Sequence, residues 1–417
     1  MSKTIYSIYD NSPKTEQIST FLGQNSSPKI QLSGLVGSSI SFLIRSLFKK
    51  SELPFLLILN DKEEAAYFLN DLEQMLGDQD VLFYPASFRR PYQIEETDNA
   101  NVLLRAEVLN RINSRKKPAI IVSYPEALFE KVVTRKELDK NTLKVAVGDQ
   151  ISIDFINEVL FEYEFKRVDF ITEPGEFSVR GGIVDVFSFS NDNPYRIEFF
   201  GNEVDSIRTF DVATQLSLEQ QKKIAIIPNV ENKFLQENRE SFLDYISEKT
   251  VLFIQNTEGF LSQLDKQFAK AEEAFEKLSK DIKHAKPEQL FLNQEQFIKR
   301  ALDFSVVELA SKPIFKTTKK VDFHIQPQPS FNKQFDLLLN NLNDNHFNGY
   351  KNYLFCSNDN QAKRFHDIFE TLDEANSENI RKQYNTIVLP LYQGFIDEEN
   401  QITCYTDHQI FERYHKF

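Results

Sequence analysis

The sequence has few of the residues that build disulfide scaffolds, metal clusters or membrane spans. Cys356 and Cys404 are the only cysteines among 417 residues. Two cysteines are too few for a metal cluster and suit a chain kept in a reducing compartment. The longest uninterrupted apolar run, at 54–59, is far shorter than the ~20 residues that cross a bilayer. Because no basic-then-apolar signal opens the chain, we expect a cytoplasmic protein without a membrane span.

Positive charge is also in short supply. The chain carries 49 Lys and Arg residues against 62 Asp and Glu residues, a net charge of −13. A protein whose main task is to grip nucleic acid phosphates needs clustered positive charge, so this balance argues against that class while leaving room for a local basic patch. Tryptophan is absent and phenylalanine occurs 38 times, so we expect cores built on Phe, Leu and Ile.

The order of the apolar segments predicts an α/β fold in a chain long enough for about three domains. Residues 54–59, 81–85 and 119–125 have the composition of buried strands, with amphipathic helices between them. Strands that alternate with helices predict a parallel sheet with helices on its faces. We expect the first part of this α/β unit at 1–141 and its second part at 229–328.

Between these two parts the pattern changes to continuous strands. Residues 142–228 contain turn signals at 173–176, 190–195 and 200–203. Strands separated by short turns of this kind predict an antiparallel β domain. We therefore expect residues 142–228 to be inserted into the α/β unit.

A small C-terminal α/β domain is predicted at 329–417. Residues 353–372 consist of an apolar strand, an Asn-Asp cap and an amphipathic helix, and 386–390 and 402–407 supply further strands. The prolines of IQPQPSF, at 325–331, predict a linker or loop before this domain. The predicted fold class is α/β: a parallel sheet with an inserted antiparallel β domain and a small C-terminal α/β domain.

The segment GLVGSSIS, at 34–41, partly matches the phosphate-binding pattern G-x-x-x-x-G-K-[ST]. Ser39 replaces the second glycine and Ile40 replaces the lysine that offsets phosphate charge, although a helix is predicted directly after the loop. On this segment alone an ATP site, a ruined ATP site and coincidence all remain open. The candidate loop residues are Gly34, Gly37, Ser39, Ile40 and Ser41.

A second segment bears on the same question. Nucleotide-hydrolysing motors need an acidic pair at the end of a buried strand, to hold Mg²⁺ and activate water. The predicted strand at 250–255 ends instead in the neutral amides Gln255 and Asn256. The preceding residues, SFLDYISEKTVLFIQN at 241–256, resemble the stretch that leads to the Asp-Glu motif of the excision-repair helicase UvrB. With both halves replaced, we predict a degenerate, helicase-like nucleotide fold with no catalytic residues and no cofactor.

Two predicted strands of the β domain combine charged and aromatic side chains on one side. In YRIEFF, period-two alternation puts Tyr195, Ile197 and Phe199 inward and Arg196, Glu198 and Phe200 outward. In FSVR it puts Phe177 and Val179 inward and Ser178 and Arg180 outward. Two outward arginines and a phenylalanine have the composition of an interface hot spot.

An alternative for this surface stays open. Arg196 and Glu198 could form a surface ion pair that contributes ~0–1 kcal/mol. Phe200 could cap a minor core beside the turn that follows it. Asp185 and Asp205 are interpreted as turn or surface residues.

The most specific pattern is EPGEFSVRGGIVDVFSFSNDNPYRIEFFGNEVDSIRTFDVATQLS, at 173–217. Its succession of PGEF, VRGGIVDVF, YRIEFFGNEVDSIR and FD-x-x-TQ resembles the domain shared by UvrB and the Mfd family of transcription-repair coupling factors. The stretch at 84–112 and the degenerate ATP motifs favour the coupling factors. UvrB keeps intact motifs and an aromatic hairpin that clamps damaged DNA, for which there is no room between Tyr84 and the helix predicted near residue 98.

The resemblance to the N-terminal region of Mfd implies an architecture and a partner. Residues 1–141 and 229–328 would form a UvrB-like module, with 142–228 as its UvrA-binding insertion and 329–417 of unknown role. The residues that match the family's contacts with UvrA, the damage-recognition ATPase, are Arg180, Arg196 and Phe200. In the longer family proteins, RNA polymerase, DNA and ATP are bound by later regions, and a C-terminal domain covers the UvrA-binding face. We expect an excised fragment without motor activity.

Two other functions compete with UvrA recruitment. A stand-alone ATP-dependent DNA helicase is opposed by Ile40 and by the amides at 255–256, and a UvrB-like clamp on damaged DNA is opposed by the missing hairpin and the acidic balance. The sequence does not predict a metal site, because His284, His324 and His346 are not spaced as metal ligands usually are. Ser39 and Ser41 lack the His and Asp partners of a nucleophile.

Overall fold

The computed structural model describes residues 2–24, 27–87, 92, 99–114, 117–189, 191–228, 239–278, 285–372 and 383–412. The space for an aromatic hairpin falls mostly at 88–98 and therefore lies largely outside the described residues, as does His284.

The chain forms three sheet-centred units. The first part of the α/β unit contains α1 (Ser2–Asp10), α2 (Pro13–Leu22), β1 (Lys29–Ser33), α3 (Ser39–Ser51), β2 (Phe55–Ile58), α4 (Lys62–Leu76), β3 (Val81–Phe83), α5 (Asn99–Ser114), β4 (Ile120–Ser123), α6 (Pro125–Phe129), β5 (Val132–Val133) and α7 (Arg135–Lys140). The β-rich unit contains β6 (Leu143–Ala146), α8 (Ile153–Glu162), β7 (Lys166–Arg167), β8 (Glu176–Arg180), β9 (Ile183–Val186), β10 (Tyr195–Phe200), β11 (Glu203–Phe210), β12 (Ser217–Gln220) and β13 (Lys223–Ile226).

The chain then returns to the α/β unit and ends in the small unit. The second part of the α/β unit contains β14 (Arg239–Glu240), α9 (Phe242–Tyr245), β15 (Val251–Gln255), α10 (Thr257–Glu276), α11 (Pro287–Leu290), α12 (Gln294–Ala301), β16 (Ser305–Leu309) and β17 (Lys319–Asp322). The small unit contains β18 (Ile325–Pro327), α13 (Phe335–Phe347), β19 (Lys351–Cys356), α14 (Asp359–Leu372), β20 (Tyr384–Val388), β21 (Phe395–Asp397), β22 (Ile402–Thr406) and α15 (Asp407–Ile410).

The α/β unit is built on a seven-stranded sheet in the order β17-β1-β16-β15-β2-β4-β3. Every neighbouring pair in it runs parallel. Its central strands are apolar along their length because both faces are covered: all four residues of β2 and of β4 are buried. The predicted fold class, a parallel α/β sheet with an inserted antiparallel domain, is confirmed.

The β-rich unit carries a six-stranded sheet in the order β12-β11-β10-β9-β8-β7. Its pairs are antiparallel from β8 to β12, and β7 joins β8 in parallel. The expectation of continuous strands through this unit is wrong at α8. There the Ser152 side chain caps the helix, and Ile156 and Leu160, four residues apart, are its buried side chains.

The small unit has a mixed sheet in the order β18-β21-β22-β19-β20. Residues 325–331, expected to be a linker or loop, include the strand β18. Pro327 fits there because β18 lies at the edge of the sheet and pairs with β21. The domain limits themselves stay predictions.

The small unit shares an apolar cluster with the α/β unit. Tyr9 of α1 and Phe42 of α3 stack with ring centroids 5.4 Å apart, and Phe42 meets Phe355 and Phe395 edge-on at 6.0 and 5.9 Å. The Tyr9 hydroxyl donates to Asp397 Oδ2 at 3.0 Å. These contacts bring the small unit against α3, the helix that follows the loop at 34–38.

Across the described ranges, none of the helices is both long enough and apolar enough to cross a bilayer. Within the same ranges, His, Cys, Asp and Glu side chains do not gather in groups of three or more that could hold a metal ion.

Candidate functional site

The first candidate site lies on the face of the six-stranded sheet that turns away from its core. Strand register places Ser178, Asp185, Arg196 and Arg208 directly opposite one another on β8, β9, β10 and β11. Residues opposite each other in a sheet share a face, so these four form one polar row. The residues that alternate with them, such as Val184, are buried in the core.

Asp185 is the centre of this row. It is 1% exposed, and it accepts hydrogen bonds from Arg180 Nη2 at 2.5 Å and from Arg196 Nε and Nη2 at 2.7 and 2.8 Å. The interpretation of Asp185 as a turn or surface residue is therefore wrong. Arg180 and Arg196 share one buried carboxylate, which holds both guanidinium groups in place.

Ser178 lies on the expected side of its strand but is not exposed. It is 2% exposed, because a loop passes over it and its hydroxyl donates to the backbone oxygen of Asp169 at 3.0 Å. The same loop contributes Ile171 to a small apolar cluster with Phe187 and Phe210. This cluster supports the polar row from one side.

Arg196 is held on every side by other groups. Its side chain is 14% exposed; it also donates to Gln215 Oε1 at 3.3 Å and lies 4.2 Å from the ring centroid of Phe210. The hydrogen bonds to Asp185 raise the pKa of Arg196 above its usual value. The alternative of an Arg196–Glu198 pair is wrong, since Glu198 accepts instead from Arg208 and from the Ser206 hydroxyl.

Arg180 and Phe200 are the accessible members of the predicted set. The Arg180 side chain is 42% exposed and lies 5.0 Å from the ring centroid of Phe170, which is itself 63% exposed. Phe200 is 82% exposed, so the alternative that it caps a minor core is wrong. It lies four residues from Arg196 on the same strand, about 13 Å away. The two arginines are thus brought together, and Phe200 stands apart at the hairpin end.

Sequence reasoning missed Asp185, Gln215 and Phe170 as members of this surface. A signal existed for Asp185: it is a single acid between Val184 and Val186 in a strand, and strands with outward arginines surround it. Gln215 and Phe170 lie in loops, where alternation gives no information.

The second candidate site is the loop after β1. Gly34 and Gly37 have φ of +76° and +55°, which glycine adopts readily, and α3 begins at Ser39. The helix predicted directly after the loop is therefore present, and strand β1 precedes the loop. Ile40 is 5% exposed and packs in the main core, while Ser39 Oγ donates to the backbone oxygen of Val36 at 2.6 Å.

Residues of the small unit lie directly on this loop. The backbone N–H of Ser38 donates to the Gln393 carbonyl at 3.1 Å, and the Gln393 N–H donates to Ser38 Oγ at 3.0 Å. A Cβ atom on Gly37 would lie 3.0 Å from the Gln393 Cβ. The Gln393 carbonyl oxygen therefore accepts a hydrogen bond from the Ser38 N–H. In a phosphate-binding loop, backbone N–H groups of this kind donate to the phosphate instead.

Asp71 of α4 also links α3 to the small unit. Its Oδ2 accepts from the Ser41 hydroxyl at 3.1 Å and its Oδ1 accepts from the Tyr392 N–H at 2.8 Å. Asp71 is fully buried. This burial raises the pKa of the carboxyl to about 7, although the hydrogen bonds from Ser38, Tyr392 and Ser41 lower it.

The two amides at the end of β15 are bound within the protein. Gln255 Nε2 donates to Glu64 Oε1 at 2.9 Å. Asn256, at φ +49°, caps α10 by accepting from the Gly259 N–H at 3.2 Å. β15 is separated from β1 by β16 alone in the parallel sheet, so the amide pair and the loop lie at the same edge, about 10 Å apart across the strands.

Comparison with known proteins gives the class of the β-rich unit. Residues 143–231 match the family described as the UvrB interaction domain. The match covers almost the whole β-rich unit and includes Arg180, Arg196 and Phe200. The accessible residues Arg180 and Phe200 therefore lie in the segment that matches this interaction domain.

The relatives then point to one group of proteins. The chain is 33% identical to the transcription-repair-coupling factor of Bacillus subtilis over 198 residues, 47% of this chain and 17% of the relative. It is 29% identical to the factor of Myxococcus xanthus over 218 residues, 51% of this chain and 18% of the relative. It is 27% identical to the factor of Escherichia coli over 197 residues, 47% of this chain and 17% of the relative.

The chain resembles the N-terminal region of transcription-repair coupling factors, as predicted from its sequence. The matched segments span less than a fifth of the length of these relatives.

Proposed function

We propose that the chain is the UvrA-recruiting, N-terminal module of a transcription-repair coupling factor in nucleotide excision repair. The observation that carries this proposal is Phe200, which is 82% exposed on a hairpin of the UvrB-interaction segment. Arg180, two strands away on the same face, is 42% exposed and held in place by Asp185. Aromatic and arginine side chains of this kind dominate the energetics of protein interfaces.

The two accessible residues have separate roles in this proposal. Complete burial of a Phe side chain contributes about 1.5–3 kcal/mol, so Phe200 supplies apolar contact area. Arg180 supplies N–H donors whose direction is set by its bond to Asp185, which reduces the entropy lost on binding. Arg196 is 14% exposed and holds Asp185 from the other side.

The test is calorimetric titration of UvrA into the chain with Phe200 intact or replaced. Phe200→Ala should weaken binding by about 2 kcal/mol or more, roughly 30-fold in Kd. Phe347→Ala is the matched control, since Phe347 is 91% exposed at the end of α13 in the small unit. Equal affinities for the wild type and Phe200→Ala, or equal losses in both variants, would contradict the proposal.

We further propose that the loop at 34–41 does not bind or hydrolyse ATP. Ile40 supplies no cation, the Ser38 N–H is bonded to Gln393, and Gln255 and Asn256 supply no carboxylate. The proposal predicts no phosphate release from ATP with or without DNA and no binding of a fluorescent ATP analogue. Saturable binding of that analogue, lost on Gly37→Val, would show that the loop is a working site.

We assign the remaining activities of the coupling factors to the parts of the longer relatives that the matched segments do not cover. We propose that RNA polymerase, DNA and ATP are bound there in the longer proteins, and that a C-terminal domain covers the face with Arg180 and Phe200. The chain should then bind UvrA more tightly than a full-length coupling factor does. Equal affinity of the two would exclude the covering domain and leave the UvrA proposal intact.

A further inference from the structure

A groove adjoins the Arg180 end of the polar row. It has a volume of about 450 Å³ and lies between strand β8 and the loop at 168–170. The Phe170 ring and the Arg180 side chain both line it and contact each other, with the guanidinium 5.0 Å from the ring centroid. The coupling-factor resemblance gives Arg180 as a contact with UvrA, but it assigns no role to Arg167 or Phe170, which also line the groove.

The loop that forms the groove is anchored at its base. The Ser178 hydroxyl donates to the Asp169 backbone oxygen at 3.0 Å, and the Val168 N–H donates to the Phe177 carbonyl at 2.9 Å. Phe170 is nonetheless 63% exposed, although its neighbour Ile171 is buried. Much of the Phe170 ring is therefore open to a partner at the rim of the groove, while the Arg180 guanidinium lies against it.

The charges that line the groove favour an acidic group. Arg167 and Asp169 are exposed at its mouth, and Arg180 adds a second cation. Asp185 lies beneath and is already bonded to both Arg180 and Arg196. The accessible wall thus has two cations and one anion, in a chain whose net charge is −13.

We propose that this groove receives a carboxylate side chain of the UvrA partner together with the apolar group beside it. The carboxylate would bond the Arg180 guanidinium, and the apolar group would cover the Phe170 ring. Arg167 then draws the acidic segment toward the mouth of the groove. The proposal rests on UvrA recruitment as proposed above, and it extends the binding face from Phe200 past Arg180 to residues 167–170.

Phe170→Ala and Arg167→Gln test the groove by UvrA binding to the whole chain at two salt concentrations, about 0.05 M and about 0.5 M. Phe170→Ala should raise Kd by about 10-fold or more at both salts, because apolar contact is insensitive to screening. Arg167→Gln should raise Kd several-fold at low salt and much less at high salt, since exposed charges are screened. Both side chains are exposed, so far-ultraviolet circular dichroism and thermal unfolding should match the wild type.

Two variants serve as controls. Phe155→Ala removes a ring that is 49% exposed on α8, a helix that packs through Phe161 against Phe177, on the other face of the sheet. Lys299→Gln makes the same charge change as Arg167→Gln on the exposed side of α12. Both controls should keep the wild-type Kd at each salt.

The failure of the groove and the failure of UvrA recruitment give different results. If Phe200→Ala weakens binding while both groove variants stay within about twofold of the wild type, the groove proposal is overturned and the recruitment proposal stands. If Phe170→Ala has the same effect as Phe155→Ala, the loss is general and the groove is not the contact. Absence of binding by the wild-type chain overturns both proposals.

Discussion

Replacing Asp71 with asparagine should remove a pH dependence of stability that the buried carboxyl creates. Burial raises the pKa of Asp71 to about 7 in the folded protein, against about 3.9 in an unfolded chain. Between these two values the folded state binds more protons than the unfolded state, so the free energy of unfolding falls as pH rises. It falls until pH passes about 7 and is then constant with respect to this group.

The magnitude follows from the size of the shift. Each unit of pKa difference is worth about 1.4 kcal/mol, so the Asp71 carboxyl removes about 3 kcal/mol of stability between about pH 5 and about pH 8. The amide introduced by Asp71→Asn stays neutral, and its carbonyl oxygen can still accept from the Tyr392 N–H. The variant should therefore be close to the wild type at low pH and about 3 kcal/mol more stable at high pH.

The assay is urea unfolding followed by circular dichroism, for the wild type and Asp71→Asn at both pH values. Taking the difference between the two proteins at each pH cancels every other titrating group that the proteins share. Asp154→Asn, on α8, is the control, because that side chain is exposed in the β-rich unit. If the difference between Asp71→Asn and the wild type is the same at both pH values, the buried carboxyl is ionised throughout and the reasoning fails.

Two further substitutions test contacts on which the two candidate sites depend. Asp185→Ala should lower the free energy of unfolding by about 3–5 kcal/mol in urea titration, because it leaves Arg196 buried without its carboxylate; Asp205→Ala, at an exposed position of β11, should stay within about 0.5 kcal/mol. Gly34→Ala should have a midpoint of thermal unfolding well below that of Gly148→Ala. Both glycines have positive φ, but their surroundings differ: a Cβ on Gly34 would lie 1.9 Å from the Phe323 carbonyl oxygen, whereas a Cβ on Gly148 would meet open space. Equal effects within either pair would contradict the contact in question.

The fold was predictable where a local pattern decides the structure. The continuous apolar run at 54–59 became a central strand because a parallel sheet is covered by helices on both of its faces. Helix α8 was not predicted, since its ten residues stand among strands. The edge strand β18 was not predicted either, because a proline argues against a strand unless the strand lies at an edge.

The candidate site was predictable in part, for a similar reason. Alternation along β10 is enough to place Arg196 and Phe200 on the same face, and β8 does the same for Arg180. Alternation does not tell which strands are neighbours, and the shared carboxylate of Asp185 depends on the register of β9 between β8 and β10. The division between a half-exposed Arg180 and a mostly buried Arg196 follows from that register and from the loop above it.

The contacts of the loop at 34–41 show how the protein itself satisfies groups that a phosphate-binding loop would offer to a ligand. A phosphate-binding loop presents backbone N–H groups that need a partner, and a buried donor without one costs about 1–3 kcal/mol. Here the Gln393 carbonyl bonds the Ser38 N–H, Asp71 bonds Ser41, and Glu64 bonds Gln255. A nucleotide would have to displace Gln393 and would find no lysine in return, because Ile40 is in the core. The loop therefore joins the α/β unit to the small unit through Gln393. Removal of the Gln393 contact should weaken the packing between the two units and should not by itself create an ATP site.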